Sequence, residues 1–451
     1  MSSSFLCARV AALAWLFLLA AGILMAYNLQ LAETNEYMGY RTFSINFPYL
    51  ISLVLAVIFI GMLIPSEIKK PSDFFTFLYG IFVLVPYMTL YPIRYPTGGL
   101  DLIIFFFALA GPFCIVRIVG VIAPAVRFPR LIPVKILIFL LALLCLVGVF
   151  FALLNAPVSS GFNLETTYDR RLEGRDIFPI RSPLAYLSAA IVNGFAPFLA
   201  FIAGWQRRTW LLAFSFFCGF AFFYILGLKA PILLIAVASV IGYLARTGRI
   251  HKMTKIVYIL LFSTFIFFLL EFVFFGYSFV GDYFIRRALS VPPWVISAYF
   301  EFMNSSSWSL LLGVSSDESI TFIVGEEFLG FPGLNANTNS FIHQLAAGGI
   351  PMYALTILLV TCVFLLLDAT YECRRNPALQ YIGFSFAILL TEQAATTALV
   401  SSGIGALVIF VVFSGSANNV INSRGYIGRS LVRNKVSKVI STEKTLGNTL
   451  C

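Results

Sequence analysis

Charge is what this sequence lacks. Only 11% of its 451 residues are Asp, Glu, Lys or Arg, where a soluble domain carries about a quarter. A soluble globule of this length could not cover itself with so few. Histidine is nearly absent, with His251 and His343 the only two, and no Cys/His spacing of a zinc site occurs. The seven cysteines fall in apolar runs or predicted inner segments, which excludes a disulfide framework. There is no strong internal repeat, no low-complexity segment and no room for a large separate soluble domain.

What is there is apolar. Hydrophobic residues make up 60% of the chain, Phe alone contributes 48, and the mean hydropathy is +0.93. Surface of that kind must face lipid or other membrane helices. Apolar runs predict helices near 8–27, 47–64, 74–92, 101–120, 133–154, 184–204, 209–226, 230–245, 256–275, 341–367, 379–397 and 403–418. The expected fold class is an all-α integral membrane protein with about twelve transmembrane helices. The run at 8–27 lacks a strong basic n-region and is followed by many more, so it reads as an uncleaved first helix rather than a signal peptide. Residues 1–418 form the expected membrane domain, and 419–451 a basic cytoplasmic tail near anionic headgroups.

Orientation follows from the charges. Of the thirty Lys and Arg, 21 fall in predicted inner segments and nine in outer ones. Both termini are therefore expected in the cytoplasm. The net charge of +10 sits in short turns between apolar runs, with no basic face on a water-soluble element, which excludes a nucleic-acid partner. Six of the nine outer cations gather in two long outer segments, about 155–183 and 276–339. Loops this long inside a compact bundle are usually functional.

The first of these carries Arg170, Arg171 and Arg175 with Asp169 and Asp176 beside them, then Arg181. It reads either as a solvated loop with compensating charges or as an anion site, because clustered guanidiniums can hold a phosphate bidentately. The second carries Asp282, Arg286 and Arg287, then Pro292-Pro293 and an aromatic run including Trp294, Tyr299, Phe300, Phe302 and Trp308. This is the composition of an interfacial helix or of a headgroup clamp, with arginines at the phosphate level and aromatics against sugar or lipid. Lys229, in the tight turn Gly227-Leu228-Lys229-Ala230, either snorkels to the interface or adds one more cation. The segment from Asn335 to Gln344, followed by Gly348-Gly349, reads as a cavity mouth with close helix contact, and holds His343. Glu271 and Glu392 lie near outer helix ends, where each can reach water or mark a proton path.

In these patches the chain resembles the bacterial oligosaccharide repeat-unit polymerases, the O-antigen polymerase (Wzy-type) family. The resemblance rests on Arg286-Arg287 with Val291-Pro292-Pro293 and the aromatics to Phe302, on Gly227-Leu228-Lys229-Ala230, on Arg170, Arg171 and Arg175, and on the Asn-rich segment with Gly348-Gly349. It covers most of the chain in architecture and short patches in sequence. In the related ligases a His-Asn pair often precedes an aromatic; here that place reads Thr338-Asn339-Ser340-Phe341 and His343 is displaced.

The resemblance implies a multi-span, GT-C-like glycosyltransferase of the bacterial inner membrane with its active site facing the periplasm. An undecaprenyl-diphosphate-linked oligosaccharide would serve as donor and acceptor, alongside a chain-length-determining membrane protein, with no cofactor. Arg170, Arg171, Arg175, Arg286, Arg287 and Lys229 are the expected diphosphate ligands. Trp294, Tyr299 and Asn339 are the expected glycan or lipid contacts. Candidate bases are His343, Asp169, Asp282, Glu301 and Glu327. No Asp-x-Asp or His/carboxylate cluster stands in the outer loops, so the transfer is expected to be metal-independent. A flippase for the same lipid and an O-antigen ligase are the competing readings; a flippase would usually show two similar halves and short loops.

Overall fold

The computed structural model describes residues 3–94, 100–157, 159–163, 170, 173–174, 178, 182–305, 308–314 and 319–414. Asp169, Arg171, Arg175 and the expected tail 419–451 lie outside these residues.

Eight helices among the described residues are long and apolar enough to cross a membrane. They are α1 (Arg9–Thr34), α3 (Pro71–Ile93), α4 (Asp101–Ile122), α5 (Val134–Leu154), α6 (Pro183–Gln206), α7 (Thr209–Leu226), α9 (Ile250–Phe275) and α11 (Ser340–Arg374). Three shorter apolar helices are α2 (Phe47–Leu63), α8 (Ala230–Arg246) and α12 (Pro377–Leu390). The chain is an all-α, multi-pass membrane protein. The run expected at 403–418 is helical only over Ile404–Val412, here α13, and the run at 379–397 turns at Thr391.

Local chemistry sets the helix ends. Asn46, Ser182, Asn339 and Asn376 stand just before α2, α6, α11 and α12, and each side chain accepts a backbone N–H from the first turn. Pro48, Pro183 and Pro377 occupy first-turn positions, where a missing N–H costs nothing. Gly227, at φ +64°, ends α7 and separates it from α8.

The helix α3 is the centre of the bundle: 94% of its span is buried, against 28% for α9 at the periphery. Its aromatic rings meet neighbours on three sides. Phe74 packs on Phe384 of α12, Phe75 on Phe364 of α11, and Phe77 on Tyr258 of α9. Between α6 and α8 there is almost no side-chain layer. A methyl group on Gly204 would strike the Ser239 carbonyl, and one on Gly242 the Phe201 carbonyl. Small residues that let backbones approach are a standard means of helix association where lipid offers no hydrophobic drive. Gly242→Ala should therefore destabilise the protein by about 1–3 kcal/mol. A thermal unfolding midpoint in detergent equal to wild type would remove this contact from the account.

The segments predicted as inner gather at one end. Ile68 N–H donates to the His251 carbonyl at 3.4 Å, Thr254 to the Ser66 carbonyl at 2.8 Å, and Arg374 to the carbonyls of Val412, Ser414 and Phe128. The segments 27–46, 89–94, 278–301 and 319–345 gather at the other end, where Gln30 and Ser278 exchange two hydrogen bonds. Glu271 belongs here and serves the loop that follows α9. It accepts from Ser278 Oγ at 2.6 Å and from Val280 N–H at 2.9 Å.

Two outer expectations need correction. Residues 276–339 are not an open loop: helical turns over Gly281–Ser290 run directly into α10 (Val291–Met303). Apolar on nearly every side, α10 is buried, and Trp294, Tyr299, Phe300 and Phe302 are core residues rather than interfacial ones. The glycine pair does not provide a close helix contact. It breaks α11, with Gly349 at φ +63°. A two-stranded hairpin, β1 (Trp308–Ser309) and β2 (Gly313–Val314), closes the break. There the Leu310 carbonyl accepts from Ile350 N–H at 2.9 Å, and Trp308 Nε1 donates to the Leu345 carbonyl at 3.2 Å.

Candidate functional site

Two cavities adjoin at the outer end, and they share Arg41, Ile93 and Arg94. The first, about 490 Å3, lies between the outer ends of α2, α3 and α4, lined by Thr42, Phe43, Tyr49, Ser52, Tyr91 and Leu102 among others. Arg41 and Arg94 are its only charged lining residues among the described residues. The second, about 550 Å3, is bounded by residues 36–41, 93–94, 301 and 327–331 and adds three carboxylates, Glu36, Glu301 and Glu327. One cavity is thus cationic, the other acid-rich, and the two guanidiniums stand where they meet.

Each arginine is placed by the fold. The Tyr27 hydroxyl of α1 donates to the Arg41 carbonyl at 2.8 Å and accepts from the Arg41 N–H at 3.1 Å. This fixes the backbone and leaves the guanidinium exposed, without a protein partner among the described residues. Arg94, at the end of α3, is tethered three ways. Its Nε and Nη2 donate to Glu301 Oε2 at 3.0 and 2.7 Å, and Nη2 also reaches the Phe328 carbonyl. The guanidinium carbon lies 6.0 Å from the centre of the Trp294 ring. Glu301 projects from α10, and its Oε1 has no partner among the described residues. A carboxylate held by one oxygen, with the other free beside a cavity, can accept a proton.

Behind the acid-rich cavity, Arg286 pairs with Asp282 at 2.8 Å and touches Met38 Sδ at 3.4 Å, and Met38 lines that cavity. Trp294 fills the space between Arg94 and Tyr40, its ring 5.7 Å from the Tyr40 ring. Burial pushes the Tyr40 phenol above its ordinary pKa, so it stays neutral.

The structure distributes the expected site residues widely. Glu301 and Glu327 line the acid-rich cavity, Glu327 exposed on its rim. Arg286 and Asp282 are spent on each other one residue behind it, and Arg287 is exposed. Arg170 is fully buried and acts as a clamp. Its guanidinium donates to the carbonyls of Phe223 and Tyr224 at 3.2 Å, and to those of Gly161 and Asn163, so it faces the end of α7 rather than a cavity. Lys229 is exposed at the start of α8 and lines neither cavity.

Trp294 and Tyr299 are core walls, Tyr299 donating to the Ala336 carbonyl at 2.9 Å. Asn339 caps α11, its Oδ1 accepting from the N–H groups of Phe341 and Ile342 at 3.2 and 3.1 Å. Asn339 thus pins the start of α11, and the Asn-rich segment lines neither cavity. His343, half-buried, lies with its ring 6.5 Å from that of Tyr299 and lines neither cavity.

Arg41 and Arg94 are the residues that the expected site omitted. Their only signal in the sequence is that they oppose the positive-inside bias, as single cations in short connections. No protein-family model, no curated protein and no solved structure matches the chain.

Proposed function

We propose that this chain is a lipid-carrier-linked oligosaccharide polymerase of the Wzy type. In this reading about twelve helices cross the bacterial inner membrane, both ends are cytoplasmic, and the cavities face the periplasm. The observation that carries it is the junction of a cationic and an acid-rich cavity at Arg41 and Arg94 beside Glu301. Polymerisation needs that division. The diphosphate of the donor is the leaving group and wants cations, whereas the acceptor hydroxyl wants a base.

In the proposed step, a hydroxyl oxygen of the acceptor repeat unit attacks the anomeric carbon of the donor glycan. The bond from that carbon to the diphosphate oxygen breaks, and its electron pair leaves with the undecaprenyl diphosphate. Arg41 and Arg94 stabilise the charge growing there, and Glu301 takes the hydroxyl proton. Holding the two substrates in adjoining cavities supplies the alignment. A chain-length-determining membrane protein is the proposed partner.

The test is the surface-polysaccharide ladder of a strain lacking this chain. Loss of a polymerase leaves lipid A core capped with a single repeat unit. Bare core overturns the proposal. If bare core is found with polymer held on carrier lipid, the chain is a ligase; without periplasmic polymer, it is a flippase.

A further inference from the structure

The hairpin that closes the break in α11 has an apolar tip. Leu310, Leu311 and Leu312 follow one another through its turn, and each is at least 54% exposed. No charged residue occurs between Glu301 and Asp317. The hairpin meets the helix through backbone. A methyl group on Gly349 would strike the Leu310 carbonyl, and one on Gly313 the Ala347 carbonyl. That contact leaves the leucine side chains exposed. An exposed apolar patch of this kind marks a surface that meets membrane or another protein.

Its height follows from α4 and α11, which lie side by side. Both run inward from the outer end: past α4, the Val126 N–H donates to the Ala369 carbonyl near the end of α11 at 3.1 Å. Higher up, the Tyr353 hydroxyl of α11 donates to the Ala108 carbonyl of α4 at 2.7 Å. Gly349 and Ile104 each stand four residues before that bond, about 6 Å nearer the outer end. The tip is thus level with Ile103 and Ile104, and Asp101, one turn above, marks where α4 begins. Side chains around this level face lipid: Ile103, Ile104 and Phe107 on α4, and Ile350, Met352 and Leu355 on α11, are all exposed. The Leu310 carbonyl bonds Ile350, so the leucines extend the same apolar surface.

A helix broken at this level leaves backbone groups that acyl chains cannot satisfy. The hairpin meets two of them, the Ile350 N–H through Leu310 and the Leu345 carbonyl through Trp308. Trp308 is half-buried, and an indole with one polar end suits the boundary between headgroups and hydrocarbon. We infer that Leu310, Leu311 and Leu312 insert into the leaflet at the outer end, among the acyl chains just below the headgroups, and seal the break in α11 from the lipid side. The occupant is lipid, because the tip continues a surface that lipid covers and carries no charge to orient a protein partner. This rests on the membrane fold alone and not on the polymerase reading.

A fluorescent noncanonical amino acid at Leu311, in the full-length chain reconstituted into phospholipid bilayers, tests this. Two further positions calibrate it: Phe139, exposed on α5, gives the response of a lipid-facing site, and Glu327, exposed on the cavity rim, that of a watery one. The probe at 311 should lose intensity to brominated phospholipid as the probe at 139 does, and resist aqueous iodide. Bromine near the headgroup end of the acyl chains should quench it more than bromine at the chain terminus. A probe at Leu312 should behave in the same way. Leu310→Asp, added beside the probe at 311, places a charge in the leaflet and should move both responses toward those at 327. If that variant does not run as wild type by size exclusion, Leu312→Asp replaces it.

Quenching at 311 by iodide and not by brominated lipid would put the hairpin in water. Quenching by neither would put the tip against protein, a second copy or another partner. Either result overturns the inference, as does stronger quenching from the chain terminus or indifference to the aspartate.

Discussion

On the proposed polymerase reading, Arg94→Ala should leave a protein that reaches the membrane in normal amount and builds almost no polymer. Among the described residues, Arg94 alone lines both cavities and also grips Glu301, so in the proposed mechanism its loss removes a countercharge and the anchor of the base together. Removing a single donor aimed at charge developing in a transition state costs about 100- to 1,000-fold in rate. The structural cost should be far smaller. Glu301 keeps 45% of its side chain exposed, and a pair that open to solvent is worth about 1 kcal/mol or less. A large loss of polymer beside a small shift in unfolding midpoint is therefore the expected signature.

Arg94→Lys retains charge but loses the planar fork that reaches Glu301 and the Phe328 carbonyl together. It should give short ladders. Glu301→Gln should match Arg94→Ala in polymer loss, and the double variant should be little worse than either, because the two act as a unit. Full-length ladders from Arg94→Ala at matched expression would take Arg94 out of the reaction.

Much of the fold is readable in the sequence because hydropathy acts over whole segments. The limits of α7 and α8 at Gly227, and the gathering of Lys70, Asp73 and Asp368 at one end, follow from composition and from the positive-inside bias. The site is not readable in that way. Arginines dense in the sequence are the ones the fold occupies elsewhere, Arg170 on backbone carbonyls and Arg286 on Asp282. The cavities instead collect residues isolated from one another in the sequence, Arg41, Arg94, Glu301 and Glu327. No spacing rule joins them, and only the packing of α1, α3 and α10 does. The aromatic run from Trp294 to Phe302 misleads for a related reason. Composition cannot tell an interfacial belt from a helix apolar enough to be buried on every side. The break in α11 is hidden as well, since a positive φ at Gly349 is a tertiary demand met by the Leu310 carbonyl.

The largest effect on stability should come from the opposite end of the bundle, at Asp368. This carboxylate is fully buried near the inner end of α11 and faces the first turn of α3. Its Oδ1 accepts from the Ser72 N–H at 2.9 Å, its Oδ2 from the Ser72 hydroxyl at 2.5 Å, and Lys70 Nζ stands 3.7 Å away. Lys70 also reaches the Gly120 carbonyl of α4, and the neighbouring Asp73 holds Arg117 of the same helix at 2.7 Å. One carboxylate thus joins α11 to the start of the central helix, where an anion is favoured by the exposed N–H groups and the helix dipole. Asp368→Ala strands the buried Ser72 donors and leaves Lys70, whose side chain is 16% exposed, without its counterion. Removing one member of such a buried pair costs about 3–5 kcal/mol, enough to lower the unfolding midpoint sharply or prevent recovery of folded protein. Asp368→Asn keeps an acceptor for Ser72 and should fall between alanine and wild type. An alanine variant that unfolds at the wild-type midpoint would show that α3 and α11 are held by their aromatic contacts alone.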